Sequence, residues 1–296
     1  MIEMIIPFRS ANIGGAFDVK RLLPYRKRRS VGPFVFADQM GPVEVVRDGS
    51  LDVLAHPHIG LATVTYLFSG QMTHRDSLGS VQTIAPGEVN WMTAGSGIVH
   101  SERVSDAPNL PNDKLYGLQT WVALPESAEE CPPAFAHYAG TELPTVRETG
   151  IEVRVITGGF FDETSPVATL GGPVYADCSL GIGKDLELPT DIEERGVYVL
   201  SGSLTADGQS IYAGELCVFE AEKQAIVAAD NDARFMLLGG DRLDKPRHIW
   251  WNFVSTSPDL IEKAREDWRR GNFKPIPNEQ GFVPLPEGNF PKPQPF

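Results

Sequence analysis

Short apolar segments recur along the chain, and turn-forming residues separate them. Glycine (29 residues) and proline (24 residues) are the main separators. Short segments rich in β-branched and aromatic residues, spaced regularly by turns, are typical of β-sandwiches and β-barrels. The pattern therefore predicts an all-β protein. The clearest predicted strands are TVTYLF, SVQTIA, GEVNWM, LYGLQTWVAL, IEVRVIT and RFMLLGG.

One segment near the end of the chain has a helical pattern instead. In residues 257–270, SPDLIEKAREDWRR, Ser257 is a candidate N-cap, Pro258 suits the first helical position, and a glycine follows the last arginine. These signals predict a short C-terminal helix. Its apolar face is expected to contain Leu260, Ile261, Ala264 and Trp268.

A faint internal repeat indicates how the strands are organised. TVTYLFSG at 63–70 is similar to RGVYVLSG at 195–202, and APGEVNW at 85–91 is similar to YAGELCV at 212–218. Two motifs that recur in the same order indicate a duplicated structural unit. We therefore predict two β-barrels of one kind in tandem.

The length of 296 residues also favours two domains. The predicted ranges are 1–140 for the first barrel, 141–245 for the second, and 246–296 for the helix and an extended proline-rich tail. The sequence alone does not indicate which barrel each terminus completes.

Charge and cysteine content narrow the class of protein. The chain has 26 Lys and Arg against 39 Asp and Glu, a net charge of −13, which disfavours direct binding of nucleic acid or of anionic membranes. The three cysteines are too few and too far apart for a disulfide scaffold or a zinc cluster. No segment approaches the roughly 20 apolar residues of a membrane span. We expect a cytoplasmic protein.

Two pairs of side chains carry the candidate chemistry. His56 and His58 stand two residues apart before an apolar strand, and His100 and Glu102 repeat this spacing in GIVHSERV. Residues i and i+2 of a strand point to the same face, so each pair directs two ligands toward one place. The spacing predicts a metal site with three imidazoles and one carboxylate.

The type of ligand limits the metal. Three imidazoles are too many for calcium or magnesium and suit iron, manganese, nickel, copper or zinc. Four protein ligands leave two positions of an octahedral ion open, which indicates a catalytic rather than a structural site. An isolated His-x-His is more often a surface or hydrogen-bonded pair, but the second pair favours the metal site. His74 and Asp76 lie beside a charged turn, where a solvated or hydrogen-bonded histidine and a solvated carboxylate are expected.

Three segments resemble the pirin family of bicupins: HPHIGLATVTYLFSG, HRDSLGSVQTIAPGEVNWMTAGSGIVHSE and WWNFVSTSPDLIEKAREDWRRGNF. The resemblance covers nearly the whole chain, and WMTAG followed by GIVHSE is its most specific part. It implies tandem cupin (double-stranded β-helix, or jelly-roll) barrels, with one iron in the first held by the positions that match His56, His58, His100 and Glu102.

The resemblance also implies a metal-free second cupin. Transferring the ligand positions through the internal repeat places them near Leu188, Thr190, Val227 and Ala229, which are not metal ligands. Many cupins have a glutamate a few residues after the His-x-His. Ala62 occupies that place, so Glu102 is expected to be the sole carboxylate ligand.

The function implied by the family is a dioxygenase of the quercetin 2,3-dioxygenase type. Such an enzyme opens the heterocycle of a flavonol or related phenolic with O2. Ferrous iron is the expected metal, with manganese, nickel, cobalt, copper and zinc as alternatives. Glu102 is the candidate catalytic residue, as acceptor of the flavonol hydroxyl proton. The alternatives are a pirin-like regulatory protein that binds a metabolic enzyme or transcription factor, and another cupin chemistry such as an isomerase.

Overall fold

The computed structural model of the protein describes residues 1–13, 17–108, 114–287 and 295. Strands dominate this part of the chain, as the sequence predicts. The first thirteen strands are β1 (Ile2–Pro7), β2 (Arg9–Ile13), β3 (Phe17–Leu23), β4 (Phe34–Glu44), β5 (Val53–His58), β6 (Leu61–Ser69), β7 (Met72–Asp76), β8 (Val81–Ile84), β9 (Val89–Thr93), β10 (Ile98–Arg103), β11 (Lys114–Ala123), β12 (Ala134–Tyr138) and β13 (Thr145–Glu148).

The second half of the chain continues the pattern and ends in helix α1 (Pro258–Arg270). A short 3-10 helix at Glu126–Ala128 lies between β11 and β12. The remaining strands are β14 (Ile151–Thr157), β15 (Gly159–Phe160), β16 (Glu163–Thr164), β17 (Val174–Leu180), β18 (Asp185–Leu188), β19 (Glu194–Ser201), β20 (Ser203–Ala206), β21 (Gln209–Tyr212), β22 (Glu215–Phe219), β23 (Ala225–Ala229), β24 (Ala233–Gly240), β25 (His248–Trp250) and β26 (Phe253–Ser255).

The first barrel consists of two antiparallel sheets. A seven-stranded sheet has the order β12-β9-β6-β11-β4-β3-β2, and a four-stranded sheet has the order β5-β10-β7-β8. The second barrel repeats this arrangement, with the orders β1-β22-β19-β24-β17-β14-β13 and β18-β23-β20-β21. The predicted fold class, two cupin barrels with a short C-terminal helix, is confirmed.

The two motifs of the internal repeat occupy matching places in the two large sheets. The first motif lies in β6 and β19, and the second leads into β9 and β22. Strand β9 is the neighbour of β6, and β22 is the neighbour of β19. The repeat in sequence is therefore a repeat in topology.

The N-terminal strand completes the second barrel. β1 pairs with β22, at the place that β12 holds beside β9 in the first barrel. By compactness, Met1–Arg9, Lys20–Ala37 and Ala139–Arg242 form one unit, and Ser10–Val19, Asp38–Tyr138 and Leu243–Phe296 form the other. The units thus interleave along the chain, whereas the sequence predicted three consecutive ranges.

Helix α1 has the predicted position and the predicted buried face. Ile261 and Ala264 are buried, and Leu260 and Trp268 are partly buried against the same cluster. Ser257 occupies the N-cap position, but its side chain makes no capping bond; its backbone N–H donates to the Ser255 hydroxyl. In the part of the chain that the structure describes, no helix is long and apolar enough to cross a membrane.

The tail after α1 lies partly along the first barrel's small sheet. The backbone N–H of Val283 donates to the carbonyl of Ala55, and Phe282 forms a parallel bridge with Ala55. The remainder of the predicted proline-rich tail, residues 288–294 and 296, lies outside the described residues.

Candidate metal centre

Two neighbouring strands bring the three predicted histidines together inside the first barrel. β5 and β10 pair antiparallel, with His100 opposite His56 and Ile98 opposite His58. The ring centroids of His56 and His100 are 4.3 Å apart, and His58 lies 5.0 Å from each. The three side chains can place one nitrogen each within 4.8 Å of the others. All three residues are buried.

Hydrogen bonds to backbone carbonyls fix the protons of two of these rings. Nδ1 of His56 lies 2.8 Å from the carbonyl oxygen of Leu54, and Nδ1 of His58 lies 3.0 Å from that of Asn252. A carbonyl only accepts, so Nδ1 carries the hydrogen in both neutral rings. The lone pair is therefore on Nε2, the form in which imidazole binds a metal.

His100 has a buried nitrogen that lacks a hydrogen bond. Its Nε2 has no partner among the residues that the structure describes. An unpaired buried polar atom is rare in folded proteins and calls for a physical explanation. A metal ion held jointly with His56 and His58 explains it.

The electrostatic environment keeps the three rings neutral. Burial lowers the pKa of His56 to about 4. Burial, and then the neighbouring His56, lower the pKa values of His58 and His100 well below 6.5. Neutral imidazoles with free lone pairs form a donor set that suits a first-row transition ion, so the residues present fit a metal.

Glu102 lies next to the histidine group without belonging to it. Among the described residues, the group with mutually close ligand atoms contains His56, His58 and His100. The strand register shifts between His100 and Glu102, and Glu102 is opposite Val53 on β5. Burial raises the pKa of Glu102 to about 7, although the Thr65 hydroxyl, 3.2 Å away, favours the charged form. Its predicted role as a ligand stays a prediction.

A polar pair from the large sheet supports Glu102. The Thr65 hydroxyl lies 3.2 Å from Glu102 and 2.8 Å from the Gln119 side chain. Both contacts are to oxygens that accept, Oε1 of Glu102 and Oε1 of Gln119, so the single Thr65 hydroxyl proton is shared between them. This chain of bonds holds the carboxylate in the barrel interior.

His74 and Asp76 are buried, at 4% and 0% exposed, respectively. The expected solvation is therefore wrong for both, whereas the alternative expectation for His74, a hydrogen-bonded side chain, agrees with its contact with Asp76. Strand β7 pairs with β10 and puts His74 opposite Glu102 and Asp76 opposite His100. Their i, i+2 spacing on a strand is the signal that could have identified them, because His56–His58 and His100–Glu102 have the same spacing.

The corresponding place in the second barrel is apolar. Strands β18 and β23 match β5 and β10, and their register puts Leu186 opposite Val227 and Leu188 opposite Ala225. The equivalents of His56 and His58 are therefore Leu186 and Leu188. The predicted positions, Leu188 and Thr190, each lie two residues further along the chain than these equivalents. Thr190 is exposed and lies beyond the end of β18.

The interior of the second barrel is a continuous hydrophobic core. Leu188, Val227 and Ala229 belong to it, together with Cys178 and Cys217. None of these side chains in the described core offers a set of metal ligands like that of the first barrel.

Fold and site together define a bicupin protein in which one barrel has a three-histidine group positioned for a metal ion. Two family models match the sequence: Pirin over residues 16–122 and the Pirin C-terminal cupin domain over residues 175–274. A pirin-like protein of Caulobacter vibrioides is 42% identical over 97% of this chain and 100% of its own length. The chain belongs to the pirin family.

Solved structures agree with this assignment. Quercetin 2,3-dioxygenase from Acinetobacter baumannii superposes with a TM-score of 0.87 and 34% identity, covering 98% of this chain and 97% of that one. A bacterial pirin from Escherichia coli in complex with nickel(II) shares the fold, with a TM-score of 0.64 and 18% identity over 82% of this chain and 100% of that one.

Proposed function

We propose that the protein is a metal-dependent dioxygenase of the quercetin 2,3-dioxygenase type. Its substrates would be O2 and a flavonol or related phenolic, whose heterocycle it opens. The observation that carries this proposal is the group of three neutral histidines, His56, His58 and His100. The buried Nε2 of His100 has no hydrogen-bond partner among the described residues. The likeness to the Acinetobacter quercetin 2,3-dioxygenase over nearly the whole chain supports it.

The metal we propose is Fe(II), held by the three histidines and by Glu102 as the fourth ligand. The donor set is also compatible with manganese, nickel, cobalt, copper and zinc. The nickel-bound pirin from Escherichia coli supports a first-row ion at this kind of site. When bound, a redox-active ion such as iron would supply the one-electron chemistry by which O2 reacts with an organic substrate.

The chain's own residues would bind the metal, exclude water and move a proton. His58 and His100 are each 1% exposed, so bulk water is largely kept from the site. In the metal-free protein, burial raises the pKa of Glu102 to about 7. A bound cation would lower this pKa and hold Glu102 as a carboxylate, the form that accepts a proton. We therefore propose that Glu102 accepts the proton of the flavonol hydroxyl group.

The test is oxygen uptake by protein loaded anaerobically with iron, measured on addition of quercetin. We expect uptake together with release of carbon monoxide, and we expect both to disappear in His56→Ala. His137→Ala is the matched control, because His137 bonds to Asn90 and lies outside the metal-binding group. Protein that retains iron but takes up no oxygen with quercetin would contradict the proposal.

The second candidate is a regulatory protein whose surface responds to the bound metal and binds a protein partner. The burial of the histidines favours it, since a metal covered by side chains is less accessible to a bulky phenolic. An iron-loaded protein without oxygen uptake would favour this function.

A further inference from the structure

A fourth buried histidine, His74, and a carboxylate, Asp76, lie next to His100 in the barrel. Nδ1 of His74 is 3.5 Å from Nδ1 of His100, and Nε2 of His74 is 3.1 Å from Oδ2 of Asp76. The ring of His74 stacks on Phe135, with centroids 4.3 Å apart and planes 12° from parallel. Each edge and one face of the His74 ring therefore have a defined neighbour.

The proton positions along this row follow from the chemistry of its two ends. Asp76, when charged, only accepts, so Nε2 of His74 carries a hydrogen and Nδ1 of a neutral His74 is an acceptor. Nδ1 of His100 then donates to Nδ1 of His74, which leaves Nε2 of His100 without a hydrogen. That Nε2 is the buried atom with no partner among the described residues. One choice of tautomers therefore satisfies both the Asp76–His74 and the His74–His100 contact.

The carboxylate end is held rigidly. Oδ1 of Asp76 accepts hydrogen bonds from the backbone N–H groups of Leu78, Gly79 and Ser80, at 2.9, 3.1 and 3.0 Å. Oδ2 is the oxygen that faces His74. The two oxygens of one side chain thus have separate tasks: one stabilises the turn after β7 and the other contacts the histidine.

We propose that Asp76 and His74 act as a positioning pair that fixes the tautomer and orientation of His100 and directs its Nε2 to the metal. The negative charge of Asp76 polarises His74, and His74 in turn polarises His100 through their hydrogen bond. This makes Nε2 of His100 a stronger electron-pair donor to a metal. In this proposal both residues act through His100 and not on the substrate. The inference rests on the metal site of the proposed function but not on its dioxygenase reaction.

Three variants separate positioning from a structural role. His74→Phe keeps an aromatic ring for Phe135 and removes both hydrogen bonds. His74→Asn leaves an amide oxygen close to the position of Nδ1, which can still accept from His100. Asp76→Asn keeps an oxygen for the turn amides but places an NH2 group against His74, which forces the wrong tautomer on the row.

The experiment uses the full-length protein and Co(II) as the probe. Affinity is measured by competition with a chelator, the visible spectrum of the Co(II)-loaded protein reports ligand geometry, and thermal unfolding of the metal-free variants checks the fold. His137→Phe is the control: it is the same substitution at a histidine of the same barrel that bonds to Asn90.

We expect Co(II) to bind roughly 10- to 100-fold more weakly to His74→Phe and to Asp76→Asn, with an altered spectrum. His74→Asn should recover part of the affinity, and His137→Phe should bind as the wild type does. Wild-type affinity and spectrum in His74→Phe would overturn the proposal, as would equal losses in His74→Phe and His74→Asn. Because no readout involves oxygen or quercetin, failure of the dioxygenase assignment would be seen separately.

Discussion

At the scale of single residues, the three histidines are alike in type but differ in what orients them. His56 and His58 each donate Nδ1–H to a backbone carbonyl, which a side-chain mutation does not remove. Nδ1 of His100 instead faces a side-chain atom, Nδ1 of His74. The orientation of His100 is therefore the one most open to change by mutation.

Glu102→Gln tests the predicted fourth ligand. Glutamine has nearly the same shape and can still accept from Thr65, but it removes the charge and the basic oxygen. We expect the variant to fold normally, to bind metal at least about tenfold more weakly and to lose oxygen uptake with quercetin. Metal content and uptake are measured on the same sample.

The matched control is Glu88→Gln, in which the same change is made at a turn carboxylate that accepts from the backbone N–H of Ala85. Its metal content should equal that of the wild type. Glu102→Gln with full metal and full uptake would show that Glu102 is neither ligand nor base.

The sequence could predict those ligands whose signal is local. His56, His58 and His100 follow from the two-residue period of a strand. The carbonyl of Asn252 that orients His58 comes from 194 residues away, and no local pattern indicates it. His74 and Asp76 have the strand spacing, but their charged surroundings in sequence suggest solvent. Only the pairing of β7 with β10 shows that they face the interior.

At the scale of strands and helices, local sequence signals predicted the type of each element and the duplicated barrel better than the alignment of individual strands between the two barrels. The internal repeat predicted two barrels of one kind, and its two motifs lie on neighbouring strands in each barrel, β6 beside β9 and β19 beside β22. It did not predict the offset between β5 and β18, because the loop that follows β5 (residues 59–60) is shorter than the loop that follows β18 (residues 189–193). That offset moves the metal-free counterparts to Leu186 and Leu188.

Leu188→Ala tests whether the second barrel is a packed core rather than a second site. Leu188 is fully buried among apolar side chains. We expect the truncation to lower the free energy of unfolding by about 3 kcal/mol while the metal content stays unchanged. Chemical denaturation and metal analysis check the two effects, and loss of metal would show that this barrel also contributes to binding.

Gly271 ends helix α1, and its conformation predicts a small, specific cost of substitution. Its φ is 71°, in the left-handed region, and a Cβ at this position would meet nothing within 4 Å in the described structure. The penalty of Gly271→Ala is therefore conformational strain without a clash, about 1 kcal/mol. Denaturant unfolding measures it, with Gly271→Asn expected to cost less because asparagine tolerates this region better. If Gly271→Ala were more stable than the wild type, the left-handed C-cap conformation of Gly271 would be contradicted.

At the scale of the whole molecule, the two barrels use one topology for different interiors. The second is filled by residues such as Val155, Leu204 and Phe235. The first buries His74, His100 and Glu102. Buried ionisable groups lower stability unless they are paired or bind a ligand. The second barrel supplies hydrophobic stabilisation, and the first contains the site.

This contrast predicts how the stability of the metal-free protein depends on pH. His56 has a folded pKa of about 4 against an ordinary value of 6.5. Between these values the unfolded chain binds more protons, so stability falls as the pH is lowered, by about 3 kcal/mol for this residue. Glu102 has the opposite sign. Its pKa rises from 4.5 to about 7, so acidification through this range stabilises the folded state by a similar amount.

The balance of these groups decides the outcome. The contribution of Glu102 offsets that of one histidine. The contributions of His58 and His100, whose pKa values burial lowers well below 6.5, are not offset. Asp76, with a pKa below 3.8, does not titrate in this window. Metal-free protein should therefore unfold at lower urea concentration at pH 5 than at pH 7, and His58→Gln should reduce the difference by removing one titrating ring. An equal or higher midpoint at pH 5 would mean that the histidines are not buried as neutral rings, and the predicted ligand set would fail with them.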